Sequence, residues 1–149
     1  MILGWLARQA EELIAGIALV VVVLAVCWGV ITRYVTAQPA TWAGEIAAFG
    51  FAWCVFVGSA AVVKRGGHVS VDMLVMAFPP RLRAAVNGLA QLAGLAFCAV
   101  ATWLAFDFAL SNADNPSAVL RLPLTILYLA PATGFLLMTL RTVQTMLAR

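Results

Sequence analysis

Charged residues are scarce in this sequence of 149 residues: they make up 10% of it, whereas apolar residues make up 64%. An ordinary soluble domain carries about 25% charged residues. So large an apolar excess cannot form a water-soluble surface, and it must be covered by lipid or by other protein. The composition therefore excludes a soluble globular domain and indicates an integral membrane protein.

Histidine and cysteine are also scarce, with one histidine and three cysteines. Each cysteine lies inside an apolar run, and there is no CxxC motif. Metal and dithiol sites need several such side chains close together, so we expect no metal, no cofactor and no catalytic residue. The nine basic residues are scattered between apolar runs. This argues against a nucleic-acid partner and indicates contacts with membrane phospholipids.

Four apolar runs are long enough to cross a bilayer, because a spanning helix needs about 20 residues. We predict an all-α, polytopic membrane protein with a single membrane domain over residues 1–149. The predicted transmembrane helices lie at about 13–32, 42–63, 84–107 and 122–141. Lys and Arg concentrate on the side of both termini and the second loop, seven against two. The N and C termini are therefore predicted to be cytoplasmic.

The segment between the second and third predicted spans contains a shorter apolar stretch. Ser70 and Asp72 are residue types that begin helices, and Pro79 and Pro80 end one. About ten residues of helix are roughly 15 Å long, which is half of what a bilayer requires. We predict a short interfacial (arm) helix at about 69–79, and a loop that dips into the lipid is the alternative.

Polar residues are rare inside the predicted spans. Glu45 lies near the outer end of the second span, and Asn87 and Gln91 lie one turn apart in the third. Intramembrane charge usually marks a transport path, whereas amides such as these more often hydrogen-bond a neighbouring helix. We therefore expect that the chain does not carry ions or polar solutes by itself.

Arg33 and Glu45 lie on either side of the short first loop. Arg33 ends the first predicted span and Glu45 lies in the first turns of the second, at the same depth. One interpretation is a salt bridge between them, with Trp42 beside it. The other is that the two side chains reach separately for lipid headgroups. The sequence leaves both open.

Glycine positions indicate where helices approach each other. Gly50 and Gly58 lie in the second predicted span, and Gly88 and Gly94 lie in the third. Small residues let the backbones of membrane helices come close together. We therefore expect all four glycines at helix–helix contacts.

The motifs between residues 30 and 83 occur in a recognisable order. Arg33 is followed by Trp42-Ala-Gly-Glu45, then by Trp53 and Gly58, then by Lys64-Arg65-Gly-Gly-His68-Val-Ser-Val-Asp72, and finally by Pro80-Arg81. This order and spacing resemble the small permease subunit of tripartite ATP-independent periplasmic (TRAP) transporters, the DctQ-type family. Gly44 departs from the family pattern, in which many members carry an acidic residue there.

The resemblance implies a non-catalytic membrane subunit of a sodium-coupled secondary transporter for organic acids, such as C4-dicarboxylates or sialic acid. Its obligate partner is then a large, elevator-type permease subunit, which it braces in the bacterial inner membrane. A periplasmic solute-binding protein is expected to dock transiently. The candidate residues for contacts with the partner subunit or with lipid are Arg33, Trp42, Glu45, Trp53, Gly58, Lys64, Arg65, His68, Asp72, Arg81 and Arg83.

Two other classes of small membrane protein remain open at this point. A four-helix proton-coupled multidrug exporter needs a carboxylate deep in the membrane, and the predicted span at 13–32 contains none. A small membrane oxidoreductase needs an arginine-rich cytoplasmic site or an exposed dithiol. The second loop has basic residues, but the sequence has no dithiol and no visible nucleophile–base pair. Resistance to toxic cations on expression would favour the first class, and bound quinone or glutathione would favour the second.

Overall fold

In the residues that it describes, the computed structural model of the protein has four long α-helices. The helix α1 spans Ile2–Val35, α2 spans Thr41–Lys64, α3 spans Pro80–Ser111 and α4 spans Thr125–Leu147.

The structure describes residues 2–64 and 79–147, with side chains at 10–63, 79 and 82–146. The predicted arm helix therefore lies, apart from Pro79, outside the described residues. Pro79 itself is not helical and immediately precedes α3.

Each helix contains a segment that is long and apolar enough to cross a membrane. These segments are Ala10–Val35, Thr41–Val63, Leu82–Ser111 and Thr125–Met146. At 1.5 Å per residue, about 20 residues cover the hydrocarbon core of a bilayer. The prediction of an all-α protein with four spanning helices is confirmed.

The last helix begins at Thr125, whereas the sequence suggests a start near residue 122. Residues 115–124 are held by their own hydrogen bonds: the N–H of Leu124 donates to the carbonyl of Asn115 at 3.0 Å. These backbone groups are therefore committed to a turn and do not extend the helix.

The helices pack side by side in the order α1, α2, α4, α3. Among the described helices, α2 packs against α1 and α4, and α3 packs against α4 alone. Helices adjacent in the sequence run in opposite directions, so the two central helices, α2 and α4, are parallel. In the edge helices α1 and α3, only 6% of the most apolar stretch is buried. Their apolar side chains therefore face lipid or another protein.

This arrangement has two distinct ends. The α1–α2 and α3–α4 connections lie at one end, which we call the loop end. The two termini lie at the other, which we call the terminal end.

Two of the predicted glycine contacts form between α1 and α2. A Cβ added at Gly50 would lie 2.9 Å from Cγ2 of Val22, and one at Gly58 would lie 3.5 Å from Cβ of Ala15. At Gly88 and Gly94 an added Cβ would meet nothing described within 4 Å. The prediction of helix contacts at these two glycines is therefore wrong for the described chain, because α3 is an edge helix.

The contact between α2 and α4 depends on another glycine. A Cβ added at Gly134 would lie 2.6 Å from Cβ and 2.7 Å from the carbonyl oxygen of Phe56. These distances are shorter than van der Waals contact, so only glycine fits. The ring of Phe135 packs edge-on against Phe56 and Phe97, with centroids 5.5 and 6.0 Å apart. Aromatic contacts thus connect α2, α4 and α3.

Candidate functional site

The side chain of Glu45 binds the connection between α3 and α4. Its Oε1 accepts a hydrogen bond from the N–H of Val119 at 2.8 Å. Its Oε2 accepts from the N–H of Leu120 and from the hydroxyl of Ser117, both at 2.9 Å. Hydrogen bonds to an ionised carboxylate are roughly twice as strong as neutral ones. We call Glu45 together with residues 117–120 the Glu45 clasp.

The α3–α4 connection is folded so that it presents these donors. The N–H of Ser117 donates to the carbonyl of Leu122 at 2.7 Å, and the N–H of Leu122 donates to Oγ of Ser117 at 3.1 Å. Arg121 sits at a φ of 53°, in the left-handed region that non-glycine residues rarely adopt. Such strain persists where the surrounding bonds fix the backbone. The α3–α4 connection is therefore a constrained turn.

Arg33 takes no part in the clasp. Both carboxylate oxygens of Glu45 bind the α3–α4 connection, whereas Arg33 is exposed in the last turn of α1. Of the two interpretations of the sequence, the salt bridge is not formed between these described residues. Glu45 does not reach for headgroups either, because its partners lie within the protein.

Trp53 makes a second polar contact between the central helices. Its indole Nε1–H donates to the carbonyl of Ile126 at 3.1 Å, in the first turn of α4. On the other side of α4, the ring of Tyr128 packs edge-on against Phe108 of α3, with centroids 4.7 Å apart. The loop-end half of α4 is thus fastened to both of its neighbours.

A buried ion pair connects α1 to α4 near the terminal end. Nε and Nη2 of Arg141 both donate to Oε1 of Glu11, at 2.9 and 2.6 Å, and Nη1 donates to Oε1 of Gln144 at 2.9 Å. Glu11 is 5% exposed, and its Oε2 has no hydrogen-bond partner among the described residues. Since α1 and α4 do not pack directly, this pair bridges across α2.

Two grooves adjoin these contacts. One of about 350 Å³ lies over α2 between α1 and α4, and its apolar lining includes Ile17, Phe49 and Trp53. The other, of about 280 Å³, lies between α1 and α2 at the loop end and includes Arg33 and Tyr34. In the part of the chain that the structure describes, no three His, Cys, Asp or Glu side chains are grouped as a metal site would need.

The remaining predicted site residues occupy different places. Trp42 is 38% exposed at the start of α2, Arg83 is half-buried in the first turn of α3, and Gly58 contacts α1. The side chains of the other five lie outside the described residues, and their interface role stays a prediction. They are Lys64, Arg65, His68, Asp72 and Arg81.

Asn87 and Gln91 do not make the interhelical hydrogen bonds that the sequence suggests. Neither amide has a partner within residues 2–64 and 79–147. Both lie on α3, whose edge position leaves most of its surface without a neighbouring helix.

Three residues that carry the polar contacts are missed by sequence reasoning. Ser117 follows Asn115-Pro116, a pair that signals a turn but not its partner. Glu11 and Arg141 stand at the ends of apolar runs, where a charge marks a membrane boundary. Nothing in the local sequence indicates that the two bind each other.

These contacts hold the helices together. In the described spans, every Asp, Glu, Lys or Arg lies within about two turns of an end. The described chain is therefore a polytopic α-helical membrane protein in which Glu45, Trp53 and Arg141 bind groups of the same chain.

The family is given by comparison with known proteins. A family model described as "Tripartite ATP-independent periplasmic transporters, DctQ component" matches residues 22–149. This match covers most of the chain, and the chain belongs to that family. The resemblance drawn from residues 30–83 is thereby confirmed.

Curated relatives agree with this assignment. The C4-dicarboxylate TRAP transporter small permease protein DctQ of Vibrio cholerae is 36% identical over 80 residues, 54% of this chain and 34% of the relative. The protein of the same name from Rhodobacter capsulatus is 34% identical over 105 residues, 69% of this chain and 46% of the relative. The V. cholerae sialic acid TRAP transporter small permease protein SiaQ is 24% identical over 106 residues, 71% of this chain and 61% of the relative. These matches thus span 34% to 61% of the relatives' lengths.

Membership of this family has two direct consequences. The family to which the chain belongs is described as a component of transporters and not as an enzyme. Together with the four apolar helices, it also makes the chain a multi-pass protein of the bacterial inner membrane.

Proposed function

We propose that this chain is the small, non-transporting membrane subunit of a sodium-coupled secondary transporter for an organic acid. The names of its relatives refer to C4-dicarboxylates and to sialic acid, so a carboxylate-bearing substrate is the natural candidate. Its partners in this proposal are a large multi-spanning permease subunit, bound permanently, and a periplasmic solute-binding protein, bound transiently.

The observation that carries the proposal is how the chain uses its polar side chains. Glu45, Trp53 and Arg141 each bind groups of this same chain. These side chains are therefore not available to bind a charged solute in place of its hydration water. A carboxylate cannot enter the hydrocarbon core unless polar groups replace that water. A chain of this kind is suited to bracing a larger subunit that supplies the path.

The edge helices offer the surface for that bracing. Large apolar side chains of α1 and α3 are exposed, among them Leu24, Leu89 and Trp103, which are 63%, 70% and 71% exposed. Membrane helices associate through packing and through hydrogen bonds between helices. The amides of Asn87 and Gln91 add unpaired polar groups on the α3 side, where a partner helix would satisfy them.

The orientation in this proposal places the loop end in the periplasm and both termini in the cytoplasm, following the distribution of Lys and Arg. The Glu45 clasp then lies on the periplasmic side. It holds the α3–α4 connection in one conformation, and a preorganised surface loses less entropy on binding. We assign this connection to the docking of the solute-binding protein.

Reconstitution tests the subunit role. This chain, the proposed large permease subunit, and both together are placed in liposomes with an inward sodium gradient and with solute-binding protein loaded with a C4-dicarboxylate or sialic acid. We expect the two membrane chains to purify together and uptake to require both. Uptake by this chain alone would refute the proposal, as would full uptake by the permease without it.

The docking role needs a matched pair of variants. Glu45→Ala releases the α3–α4 connection, whereas Asp107→Ala removes an exposed carboxylate near the loop end. In the intact complex, we expect Glu45→Ala to raise the binding-protein concentration needed for half-maximal uptake, and Asp107→Ala to leave it unchanged. Equal behaviour of the two variants would remove the docking role and leave the bracing role standing.

The described structure does not support either alternative class, the proton-coupled exporter or the membrane oxidoreductase. A proton-coupled exporter needs a carboxylate at mid-depth, and the described spans carry theirs near the ends. An oxidoreductase of the dithiol type needs paired thiols, and Cys27, Cys54 and Cys98 are free.

A further inference from the structure

The groove between α1 and α2 at the loop end combines a cation with an apolar cavity. Its volume is about 280 Å³, and small residues such as Ala25, Gly29 and Gly44 line it. Arg33 and Tyr34, at the end of α1, form its charged and polar border. We call it the Arg33 groove.

Arg33 has no counter-ion within the described chain. Both oxygens of Glu45 are occupied by the clasp. Asp107 and Asp114 belong to α3 and to the connection after it, at the opposite edge of the helix row. A guanidinium carries five N–H donors in a fork that fits phosphate or carboxylate. An anion that binds Arg33 would therefore come from outside the described chain.

The lining of the groove indicates what can lie beneath that anion. Apart from Arg33 and Tyr34, every lining side chain is alanine, valine or glycine. An acyl chain placed there therefore meets apolar side chains, next to the cation that binds its headgroup.

We propose that the Arg33 groove binds one anionic phospholipid. The phosphate is bound by Arg33 and the exposed hydroxyl of Tyr34, and an acyl chain lies against Gly29 and Gly44. The charge at the membrane surface and the apolar cavity below it match the two parts of a lipid molecule. This site is separate from the Glu45 clasp, and it does not depend on the subunit role proposed above.

Native mass spectrometry of the full chain in detergent tests the site. The protein is titrated with phosphatidylglycerol and, separately, with phosphatidylcholine carrying the same acyl chains. We expect one phosphatidylglycerol per chain, bound more tightly than phosphatidylcholine. Arg33→Gln should weaken phosphatidylglycerol binding about fivefold, the loss expected for an exposed ion pair, and Arg33→Lys should retain most of it. Arg121→Gln removes an exposed arginine outside the groove and should change nothing.

A second pair of variants tests the cavity. Gly44 lines the groove, and a Cβ added there meets nothing within 4 Å, so we expect the side chain of Gly44→Leu to occupy the groove. Gly94 is equally open but lies on α3, and Gly94→Leu is the control. We expect Gly44→Leu to weaken lipid binding about fivefold, comparable to Arg33→Gln, and Gly94→Leu to have no effect. Gel filtration confirms that each variant is folded.

Two results would overturn the site. The first is that Arg33→Gln and Gly44→Leu bind phosphatidylglycerol as well as their controls do, which would mean only general adsorption. The second is that the large permease displaces the lipid and that Arg33→Gln weakens the complex with it, which would make the groove a protein contact. Neither result bears on whether uptake requires this chain.

Discussion

Glu11 and Arg141 are 130 residues apart in the sequence, yet Nη2 of the arginine lies 2.6 Å from Oε1 of the glutamate. The second carboxylate oxygen is buried without a partner among the described residues. A buried ion pair is costly to form and still more costly to break, because removing one partner leaves the other charge uncompensated. The bridge from α1 to α4 therefore depends on both residues together.

Arg141→Ala should destabilise the chain more than Glu11→Gln does. The first change leaves a buried carboxylate alone, which costs about 3–5 kcal/mol in a fully buried pair and less here because the Arg141 side chain is 24% exposed. The second change removes the buried charge itself. The double variant should recover part of the loss, because it has no orphaned charge. Thermal unfolding in detergent, followed by tryptophan fluorescence, measures all three. Strictly additive effects would mean that the two side chains do not interact.

Glu45→Ala should expose the amides of Val119 and Leu120 to exchange with solvent. Both N–H groups donate to this carboxylate. Without this acceptor both amides lose a charge-assisted hydrogen bond, so their exchange should accelerate severalfold. Hydrogen–deuterium exchange with mass spectrometry of residues 115–124 detects this. Arg33→Gln is the control and should leave the exchange of these amides unchanged. A similar acceleration in this variant would instead support a pairing of Arg33 with Glu45.

Gly134→Ala should weaken the packing of α4 on α2. The added methyl would lie 2.6–2.8 Å from atoms of Phe56, including its backbone. Overpacking of this kind typically costs about 1–3 kcal/mol. Gly88→Ala and Gly94→Ala, where the methyl meets open space, should instead be neutral or slightly stabilising, because alanine favours a helix. The unfolding temperatures of the three variants decide this, and equal shifts would contradict the α2–α4 contact.

Trp53→Phe should cause a small loss of stability, since it keeps an aromatic ring but removes the indole donor to the carbonyl of Ile126. Hydrogen bonds between membrane helices contribute about 0.5–1.5 kcal/mol. Trp103→Phe is the matched control, because Trp103 is 71% exposed on α3. Urea or thermal unfolding separates the two. A larger loss of stability in Trp103→Phe than in Trp53→Phe would mean that the indole of Trp53 does not stabilise the packing of α4 on α2.

The spanning helices were predictable because hydropathy is a local property. Each apolar run of about 20 residues predicts a membrane-spanning helix, whichever helices pack against it. The contacts of Gly50 and Gly58 were predictable for a related reason: α1 and α2 are joined by a short loop, so they must pack together.

The order of the helices and the partner of Glu45 were not predictable. Ser117 is 72 residues from Glu45, and no residue near either one indicates the other. Gly88 and Gly94 show the same limit, because a small residue permits a close contact but does not state whether a neighbour is present. Which helices occupy the edges depends on the whole chain.

The order α1, α2, α4, α3 has a consequence for how the molecule is assembled. Each half of the chain is an antiparallel hairpin, α1 with α2 and α3 with α4. Among the described residues, polar contacts cross between the hairpins at three places: Glu45 to residues 117–120, Trp53 to Ile126, and Glu11 to Arg141. The two hairpins can therefore enter the bilayer one after the other and join afterwards along a single seam, with Gly134 at its tightest point.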